Sequence, residues 1–267
     1  MPGESTALAE VAGALWCAER DRLAVAPISD GDPTFGPAQA YSVARINVAR
    51  RVEAGAVLRG LKIGLTSRAS QSVLGVGEPT FGALLSDMFV DDDDRLAIDE
   101  LLQPRVEAEL AFVLATDLVG PGVDTVAAMR AVERVIPVIE VGDSRIADWR
   151  IRIADTIADN ASSARVVLGS GFAPPTNDLD LVHLGVLFFR NGVPIDSGAG
   201  AAALGNPLRA VAWLANKLAE FGESLRGGDI VLSGALHRMV PARPGDEFRA
   251  EFARLGSVGV RFSGGSS

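Results

Sequence analysis

Thiol and imidazole side chains are scarce in this sequence. The 267 residues include one cysteine, Cys17, and two histidines, His183 and His237. A single cysteine excludes an intrachain disulfide and favours a reducing compartment. Zinc sites are built largely from cysteine and histidine. Because these three residues are scattered along the chain, a zinc site is not expected.

Long hydrophobic runs and excess positive charge are also missing. The sequence has no run of about 18 apolar residues, so no membrane-spanning helix is predicted. Its first ten residues lack the basic start and apolar core of a signal peptide. The formal net charge of −9 disfavours binding to nucleic acid or to anionic membranes. We therefore predict a cytoplasmic protein that binds neither nucleic acid nor membrane.

Helical patterns dominate the start of the chain. Residues 5–26 and 37–58 are predicted helices, and two later helices are expected at about 123–134 and 206–221. The last of these has Asn206 as a plausible N-cap before Pro207.

Short apolar or alternating runs, broken by Gly, Pro and Asp, follow the first two helices. The predicted strands are 60–66, 105–115, 135–142, 164–168, 181–190, 229–235, 246–253 and 257–262. Asn191-Gly192 predicts a two-residue hairpin turn. The sum is an α+β fold with a helical N-terminal portion (1–58) and a mixed β body (59–267), which together form one functional unit.

The most informative stretch carries two acids on one predicted strand. Side chains alternate between the two faces of a strand. Val106, Ala108 and Leu110 therefore share a core face, and Glu107 and Glu109 share the opposite face. On these residues alone, a solvated strand face remains an alternative to a binding site.

A third acid, Glu140, lies inside the apolar run 135–141. A carboxylate in a buried strand is unfavourable unless its charge is compensated. If the three acids meet around one cation, oxygen ligands without Cys or His select Mg²⁺ or Mn²⁺. The pattern indicates such a site but does not by itself decide between the two alternatives.

Several segments, taken in order, resemble one known family. They are 62–67 (KIGLTS), 74–82 (LGVGEPTFG), 103–109 (QPRVEAE), 140–149 (EVGDSRIADW), 155–162 (DTIADNAS), 197–205 (SGAGAAALG) and 228–236 (GDIVLSGAL). This set is similar to the 2-oxopent-4-enoate (2-hydroxypenta-2,4-dienoate, or vinylpyruvate) hydratases of the fumarylacetoacetate-hydrolase-like superfamily. The match extends from about residue 8 to residue 262.

The resemblance implies a mixed β-roll or barrel-like body, a Mg²⁺ or Mn²⁺ ion and a homo-oligomer. It places the metal on Glu107, Glu109 and Glu140. The implied reaction is hydration of a small 2-hydroxydienoate or 2-oxoenoate acid to 4-hydroxy-2-oxopentanoate, in aromatic or steroid meta-cleavage catabolism. Association with a sister decarboxylase or a downstream aldolase is a further expectation.

The resemblance also suggests roles for residues outside the acid cluster. Lys62, Asp155 and Ser162 are expected to be catalytic. For Lys62 the alternative is a surface lysine, and for Asp155 it is a helix cap or turn residue. The expected substrate-binding residues are Gly64, Leu65, Asn160 and Ser233.

Other functions remain open at this stage. A 4-oxalocrotonate-type decarboxylase would need a cation for a second carboxylate, for which Arg68, Arg145 and Arg165 are candidates. An acylpyruvase-type C–C hydrolase would need a strong base, often a Glu–His pair, and the few histidines disfavour it. A catalytically inert partner of a sister enzyme is the third alternative.

Overall fold

Helices dominate the first 60 residues and strands dominate the rest, as the sequence predicts. The protein is described here from a computed structural model that covers residues 2–175 and 179–264. The helices are α1 (Pro2–Asp21), α2 (Ile28–Gly31), α3 (Pro37–Glu53), α4 (Arg68–Leu74), α5 (Thr125–Ala131), α6 (Ile153–Ala158) and α7 (Pro207–Ala219). In these residues, no helix is both long and apolar enough to cross a membrane.

The strands form two sheets. The strands are β1 (Leu58–Gly64), β2 (Thr80–Leu85), β3 (Phe89–Val90), β4 (Arg95–Ala97), β5 (Arg105–Leu114), β6 (Val132–Gly142), β7 (Ser163–Leu168), β8 (Gly185–Arg190), β9 (Val193–Ala199), β10 (Ile230–Leu232), β11 (Val240–Pro241), β12 (Glu247–Phe252) and β13 (Gly256–Ser263). The larger sheet has the order β2-β1-β10-β5-β6-β7-β3, with β11 paired to β5, and curls into a half-barrel. The smaller sheet has the order β4-β13-β12-β8-β9.

One hydrophobic core joins the helical portion to the β body. Leu15 of α1 and Tyr41 of α3 belong to the same buried cluster as Phe112 of β5 and Phe248 of β12. The Tyr41 ring stacks on Phe81 of β2, with 4.5 Å between the ring centroids. The predicted α+β class with a helical N-terminal portion is confirmed, and the boundary between residues 58 and 59 stays a prediction.

Local signals in the sequence explain several element ends. Asn206 caps α7, because its side-chain oxygen accepts a hydrogen bond from the Leu208 N–H at 3.0 Å. Asn191 and Gly192 join β8 to β9, and both have positive φ, at 52° and 75°. These two predictions are confirmed.

Other predicted boundaries are wrong. The first two helices end at Asp21 and Glu53, before the predicted residues 26 and 58. Strand β1 ends at Gly64, because Leu65 has a φ of 57°, which an extended strand does not accommodate.

The later predictions also need correction, and several elements were not predicted. The predicted helix 123–134 covers only Thr125–Ala131, and the predicted strand 181–190 begins at Gly185. Strand β2 and helix α6 were not predicted, although both lie next to the site described below.

Candidate active site

Three buried carboxylates meet in the middle of the larger sheet. Glu107 and Glu109 lie two residues apart on β5, and Glu140 on β6 lies directly opposite Glu107 in the antiparallel register. Each acid offers one oxygen atom, and these atoms lie within 4.8 Å of one another. Glu109 and Glu140 have no exposed surface and Glu107 is 6% exposed. The alternative of a solvated strand face is therefore wrong.

These carboxylates lack enough hydrogen-bond donors. Glu109 Oε2 accepts a hydrogen bond from the Gly234 N–H at 2.8 Å. Glu109 Oε1 and Glu140 Oε2 are buried without a hydrogen-bond donor among the described residues. Glu140 Oε1 has only the ion-pair contact with Lys62 Nζ, at 3.0 Å. Buried polar atoms are normally satisfied, and buried carboxylates need a counter-charge. The oxygen-only cluster therefore fits a hard divalent cation.

Crowding of negative charge changes how readily the acids ionise. Burial, reinforced by the charge of Glu140, raises the pKa of Glu107 to about 7. The same two causes raise the pKa of Glu109 well above its usual value. In the metal-free protein the cluster therefore retains protons that a bound cation would displace.

Among the residues that the structure describes, Lys62 supplies the one positive charge in contact with the cluster. This residue of β1 is 4% exposed, and its Nζ lies 3.0 Å from Glu140 Oε1. Its Nζ also donates a hydrogen bond to the Ala161 carbonyl at 3.2 Å. The alternative of a surface lysine is wrong.

The charge state of Lys62 follows from the same environment. Burial by itself lowers the pKa of Lys62, but the charges of Glu140, Glu107 and Glu109 outweigh it and raise the pKa above its usual value. Lys62 is thus held as an ammonium in the metal-free protein, which suits a hydrogen-bond donor and counter-charge.

A cavity of about 360 Å³ opens beside the acid cluster. Lys62, Glu107, Gly64, Leu65 and Ser162 line it, so five of the predicted site residues come together. Its volume lies in the range typical of small-molecule sites.

Sequence reasoning did not assign a role to several other residues that line the cavity. They are Thr80 and Thr156, which add hydroxyl groups, and Ile151, Trp149, Leu236 and Met239, which form an apolar wall. Thr80, Trp149, Thr156 and Leu236 belong to segments that carry the family resemblance, which was the only signal available for them. Thr156 faces the Ser162 hydroxyl, with 3.5 Å between the two oxygens.

The structure does not bring Asp155 into this cavity. Asp155 lies in the first turn of α6, and its carboxylate accepts hydrogen bonds from the Ser29 N–H, the Ser29 hydroxyl and the Arg152 N–H. These contacts match the capping alternative stated above.

Asn160 and Ser233 also lie outside the cavity lining. The Asn160 side chain forms two hydrogen bonds with the backbone of Ala83. The Ser233 hydroxyl accepts a hydrogen bond from the Leu110 N–H and donates one to the Gly234 carbonyl, which supports the segment that contacts Glu109.

His237 lines the cavity but both of its ring nitrogens are engaged. Its Nε2 accepts a hydrogen bond from the Ala108 N–H at 2.9 Å, and its Nδ1 lies 2.7 Å from the Arg238 carbonyl oxygen. Burial lowers the pKa of His237, which favours the neutral ring. This arrangement fits a structural histidine and leaves no free ring nitrogen for a base.

Positive charge other than that of Lys62 is sparse among the described residues that line the cavity. Arg165 forms an ion pair with Glu100 at 3.4 Å and does not line the cavity. Arg145 is buried against Asp159, and Arg68 lies outside the lining as well. Among the described lining residues, Arg238 is the only arginine; its side chain is 90% exposed and lies 3.5 Å from Asp196.

Comparison with known proteins identifies one family model and several relatives that match most of the chain. The family model described as fumarylacetoacetate (FAA) hydrolase C-terminal matches residues 63–263. A "TodF product hydratase" of Pseudomonas putida is 46% identical over 259 residues, which is 96% of this chain and 96% of the relative. A "2-keto-4-pentenoate hydratase" of Paraburkholderia xenovorans is 44% identical over 253 residues, with 95% and 94% covered.

A solved structure is similar over nearly the whole chain. It is the 4-oxalocrotonate decarboxylase from Pseudomonas putida G7 complexed with magnesium and adipate, which is 37% identical to this chain. The TM-score is 0.93, and the match covers 97% of this chain and 98% of the other.

Proposed function

The chain belongs to the fumarylacetoacetate hydrolase family, and on that premise we propose that it is a divalent-metal-dependent hydratase. Its substrate is 2-hydroxypenta-2,4-dienoate, the enol form of 2-oxopent-4-enoate, and its product is 4-hydroxy-2-oxopentanoate. The observation that carries this proposal is the buried Glu107–Glu109–Glu140 cluster, which shares a small cavity with Lys62. The hydratases that are 44–46% identical over nearly the full chain support it.

The reaction requires two proton transfers and one C–O bond. The enol O–H proton is lost, and a proton is added at C5, which gives a 2-oxo-3-enoate. Water then adds its oxygen to C4, and a proton is delivered to C3. Negative charge develops on the C2 oxygen during this addition, so stabilisation of that oxygen is the main catalytic requirement.

Glu107, Glu109 and Glu140 would hold the metal ion, which is Mg²⁺ or Mn²⁺ by the chemistry of an all-carboxylate donor set. When bound, the ion supplies Lewis acidity and an anchor for the carboxylate and C2 oxygen of the substrate. Three carboxylates, Lys62 and a divalent ion together carry no net charge, which makes the buried site electrostatically balanced.

Lys62 is the protein's own donor to the substrate. An ammonium has three N–H bonds; one lies towards Glu140 and one towards Ala161. The third is left for the substrate carboxylate or its C2 oxygen. Such a charge-assisted hydrogen bond in a buried site is stronger than a neutral one.

Two hydroxyl groups in the cavity lining are suited to bind the attacking water. Ser162 and Thr156 lie with their oxygens 3.5 Å apart and both line the cavity. Hydroxyl groups both donate and accept hydrogen bonds, so this pair can orient a water molecule and relay a proton. The apolar wall formed by Ile151, Leu236 and Met239 fits the hydrocarbon tail of a monoacid.

A 4-oxalocrotonate decarboxylase is the second candidate function. The decarboxylase of 37% identity, whose structure contains adipate, favours it. Against it, a second substrate carboxylate would meet a single guanidinium among the described lining residues, that of Arg238, which is exposed and close to Asp196. A C–C hydrolase that depends on a histidine base is disfavoured, because both ring nitrogens of His237 are engaged.

Removal and replacement of the metal test the proposal. Protein stripped with a chelator should not hydrate the dienoate, and added Mg²⁺ or Mn²⁺ should restore formation of 4-hydroxy-2-oxopentanoate. Full turnover by metal-free protein in the presence of EDTA would contradict the proposal. A homo-oligomer, association with a sister decarboxylase or an aldolase, and a cytoplasmic location remain parts of the proposal that follow from the family resemblance and the sequence.

A further inference from the structure

A turn of unusual backbone conformation lies beside Lys62. The three consecutive residues Asn160, Ala161 and Ser162 have φ values of 51°, 52° and 54°. None is glycine, and residues with a Cβ disfavour this left-handed region. Such a conformation persists where the surrounding structure enforces it, often at a functional site.

One end of this turn is fastened to an edge strand. Strand β2 forms the edge of the larger sheet. The Asn160 side chain accepts a hydrogen bond from the Ala83 N–H at 2.7 Å and donates one to the Ala83 carbonyl at 2.9 Å. The amide thus pairs with the outer edge of β2 as a neighbouring strand would.

Gly82 allows the turn to approach this closely. It pairs with Lys62 in the register of β1 and β2. A Cβ atom at Gly82 would lie 2.4 Å from the Asn160 carbonyl oxygen and 3.1 Å from the Ala161 Cβ. Any side chain at this position would push the turn away from Lys62.

The other end of the turn is fastened to the loop after β6. The Ser162 carbonyl accepts a hydrogen bond from the Asp143 N–H at 2.8 Å. Just before the turn, Asp159 is buried in an ion pair with Arg145. Both ends are thus held, and the Ala161 carbonyl between them lies 3.2 Å from Lys62 Nζ.

We propose that Asn160 and Gly82 are positioning residues for Lys62. Together they hold the Asn160–Ser162 turn where the Ala161 carbonyl and Glu140 fix two N–H bonds of the ammonium, so that the third is directed to the substrate. This role replaces the direct substrate contact expected for Asn160 from the sequence. The reference to a substrate rests on the proposed function, whereas the restraint on Lys62 does not.

The chain contains a matched control for the Asn160 contact. Asn216 of α7 forms the same pair of hydrogen bonds with the backbone of Val123, at 2.9 and 2.8 Å, and does not line the cavity. Replacing either asparagine with alanine removes two side-chain hydrogen bonds to one residue. Only the loss of hydrogen bonds at Asn160 should change the position of the Lys62 side chain.

A direct readout of Lys62 is available because the sequence has two lysines, Lys62 and Lys217. Protein with ¹³C-labelled lysine, loaded with Mg²⁺, should give one Cε signal for each lysine in an NMR spectrum. Asn160→Ala and Gly82→Ala should shift or broaden the Lys62 signal and leave that of Lys217 unchanged. Asn216→Ala should leave both signals unchanged.

Kinetics provide the second readout. Asn160→Ala should lower kcat by about 10- to 100-fold, the usual loss when a reacting group is misplaced by about 1 Å, while Mg²⁺ affinity stays unchanged. Added to Lys62→Met, Asn160→Ala should cause no further loss, because both changes act through the same ammonium. If Asn160→Ala does not fold, Asn160→Asp, which keeps the acceptor for the Ala83 N–H, takes its place in both experiments.

Two outcomes separate this inference from the proposed function. An unchanged Lys62 signal in the Asn160 and Gly82 variants, or a full additive loss in the double variant, overturns the positioning role even if the enzyme is a hydratase. A Lys62 signal that depends on Asn160 in a protein that hydrates no dienoate supports the positioning role and refutes the proposed function.

Discussion

Glu107 and Glu140 are directly opposite partners on the antiparallel strands β5 and β6, and both are buried. Like charges at opposite positions of neighbouring strands destabilise a sheet, and burial increases the penalty. The contact of Lys62 with Glu140 relieves part of this repulsion. A divalent ion held by the three acids would relieve the rest, so metal binding, folding and protonation are expected to be coupled.

Glu109→Gln and Glu140→Gln should have different effects on the metal-free protein. Glu109→Gln resembles the protonated acid that the raised pKa of Glu109 favours, and it keeps an oxygen for the Gly234 N–H, so stability should stay the same or rise. Glu140→Gln removes the charge in contact with buried Lys62, and breaking such a pair costs up to about 3–5 kcal/mol.

Both variants should lose Mg²⁺ affinity by more than about tenfold. Thermal melts of metal-free protein and calorimetric Mg²⁺ titrations measure the two effects; a large drop in the Glu109→Gln midpoint, or wild-type Mg²⁺ affinity in either variant, would contradict the site assignment.

Metal binding should release protons. The pKa of Glu107 is raised from 4.5 to about 7 in the metal-free protein. A raised pKa in the folded state stabilises the fold below the unfolded pKa, and this contribution is lost as pH rises through the folded pKa. The metal-free protein should therefore lose stability as the pH rises from about 4.5 to about 7. Mg²⁺ affinity should increase over the same rise in pH. Calorimetry in buffers of different ionisation enthalpy checks this, and identical binding heats in all buffers at about pH 6 would refute it.

Lys62→Met should reduce turnover without weakening the metal site. The substitution removes a charged contact in a dry cavity, which costs about 2–5 kcal/mol, or roughly 30- to several-thousand-fold in kcat/KM. Mg²⁺ affinity should stay the same or increase, because a positive charge beside the cation site is lost. Lys217→Met is the matched control, since Lys217 contacts Glu78 and Glu220 away from the cavity. Wild-type kinetics in Lys62→Met would remove Lys62 from the mechanism.

Asp155→Ala should affect stability more than turnover. Its carboxylate accepts three hydrogen bonds from Ser29 and Arg152 outside the cavity. Loss of a charged acceptor for buried donors costs about 1.5–3 kcal/mol. Denaturant unfolding and kcat, measured below the melting transition, separate the two roles. An unchanged unfolding curve with a lost kcat would return Asp155 to the catalytic role expected from its motif.

The acid cluster was predictable because it depends on strand periodicity. Alternation along 105–115 places Glu107 and Glu109 on one face, and a lone acid in the apolar run 135–141 marks Glu140 as unusual. The pairing of Glu107 with Glu140 is a tertiary register between strands separated by a helix, and no local signal specifies it.

The environment of Lys62 was much less predictable. Strand β2 is short and contains Gly82, which weakens a strand pattern, although this glycine is what admits the turn. The positive φ of Ala161 runs against its local preference and depends on contacts with Ala83 and Asp143 that are distant in sequence. The family resemblance associated Asn160 with the substrate, whereas its side chain binds the backbone of β2, a contact that no local signal specifies.

The most direct test is a product analysis with two substrates in parallel. Mg²⁺-loaded enzyme is mixed with freshly generated 2-hydroxypenta-2,4-dienoate in one sample and with 4-oxalocrotonate in the other, and organic products and CO₂ are quantified. We predict that the first sample yields 4-hydroxy-2-oxopentanoate and that the second releases little CO₂. The cavity offers the monoacid Lys62 and the proposed metal site, but the described lining residues include no further buried cation for a second carboxylate. Rapid CO₂ release from 4-oxalocrotonate, with no hydration of the dienoate, would contradict this account.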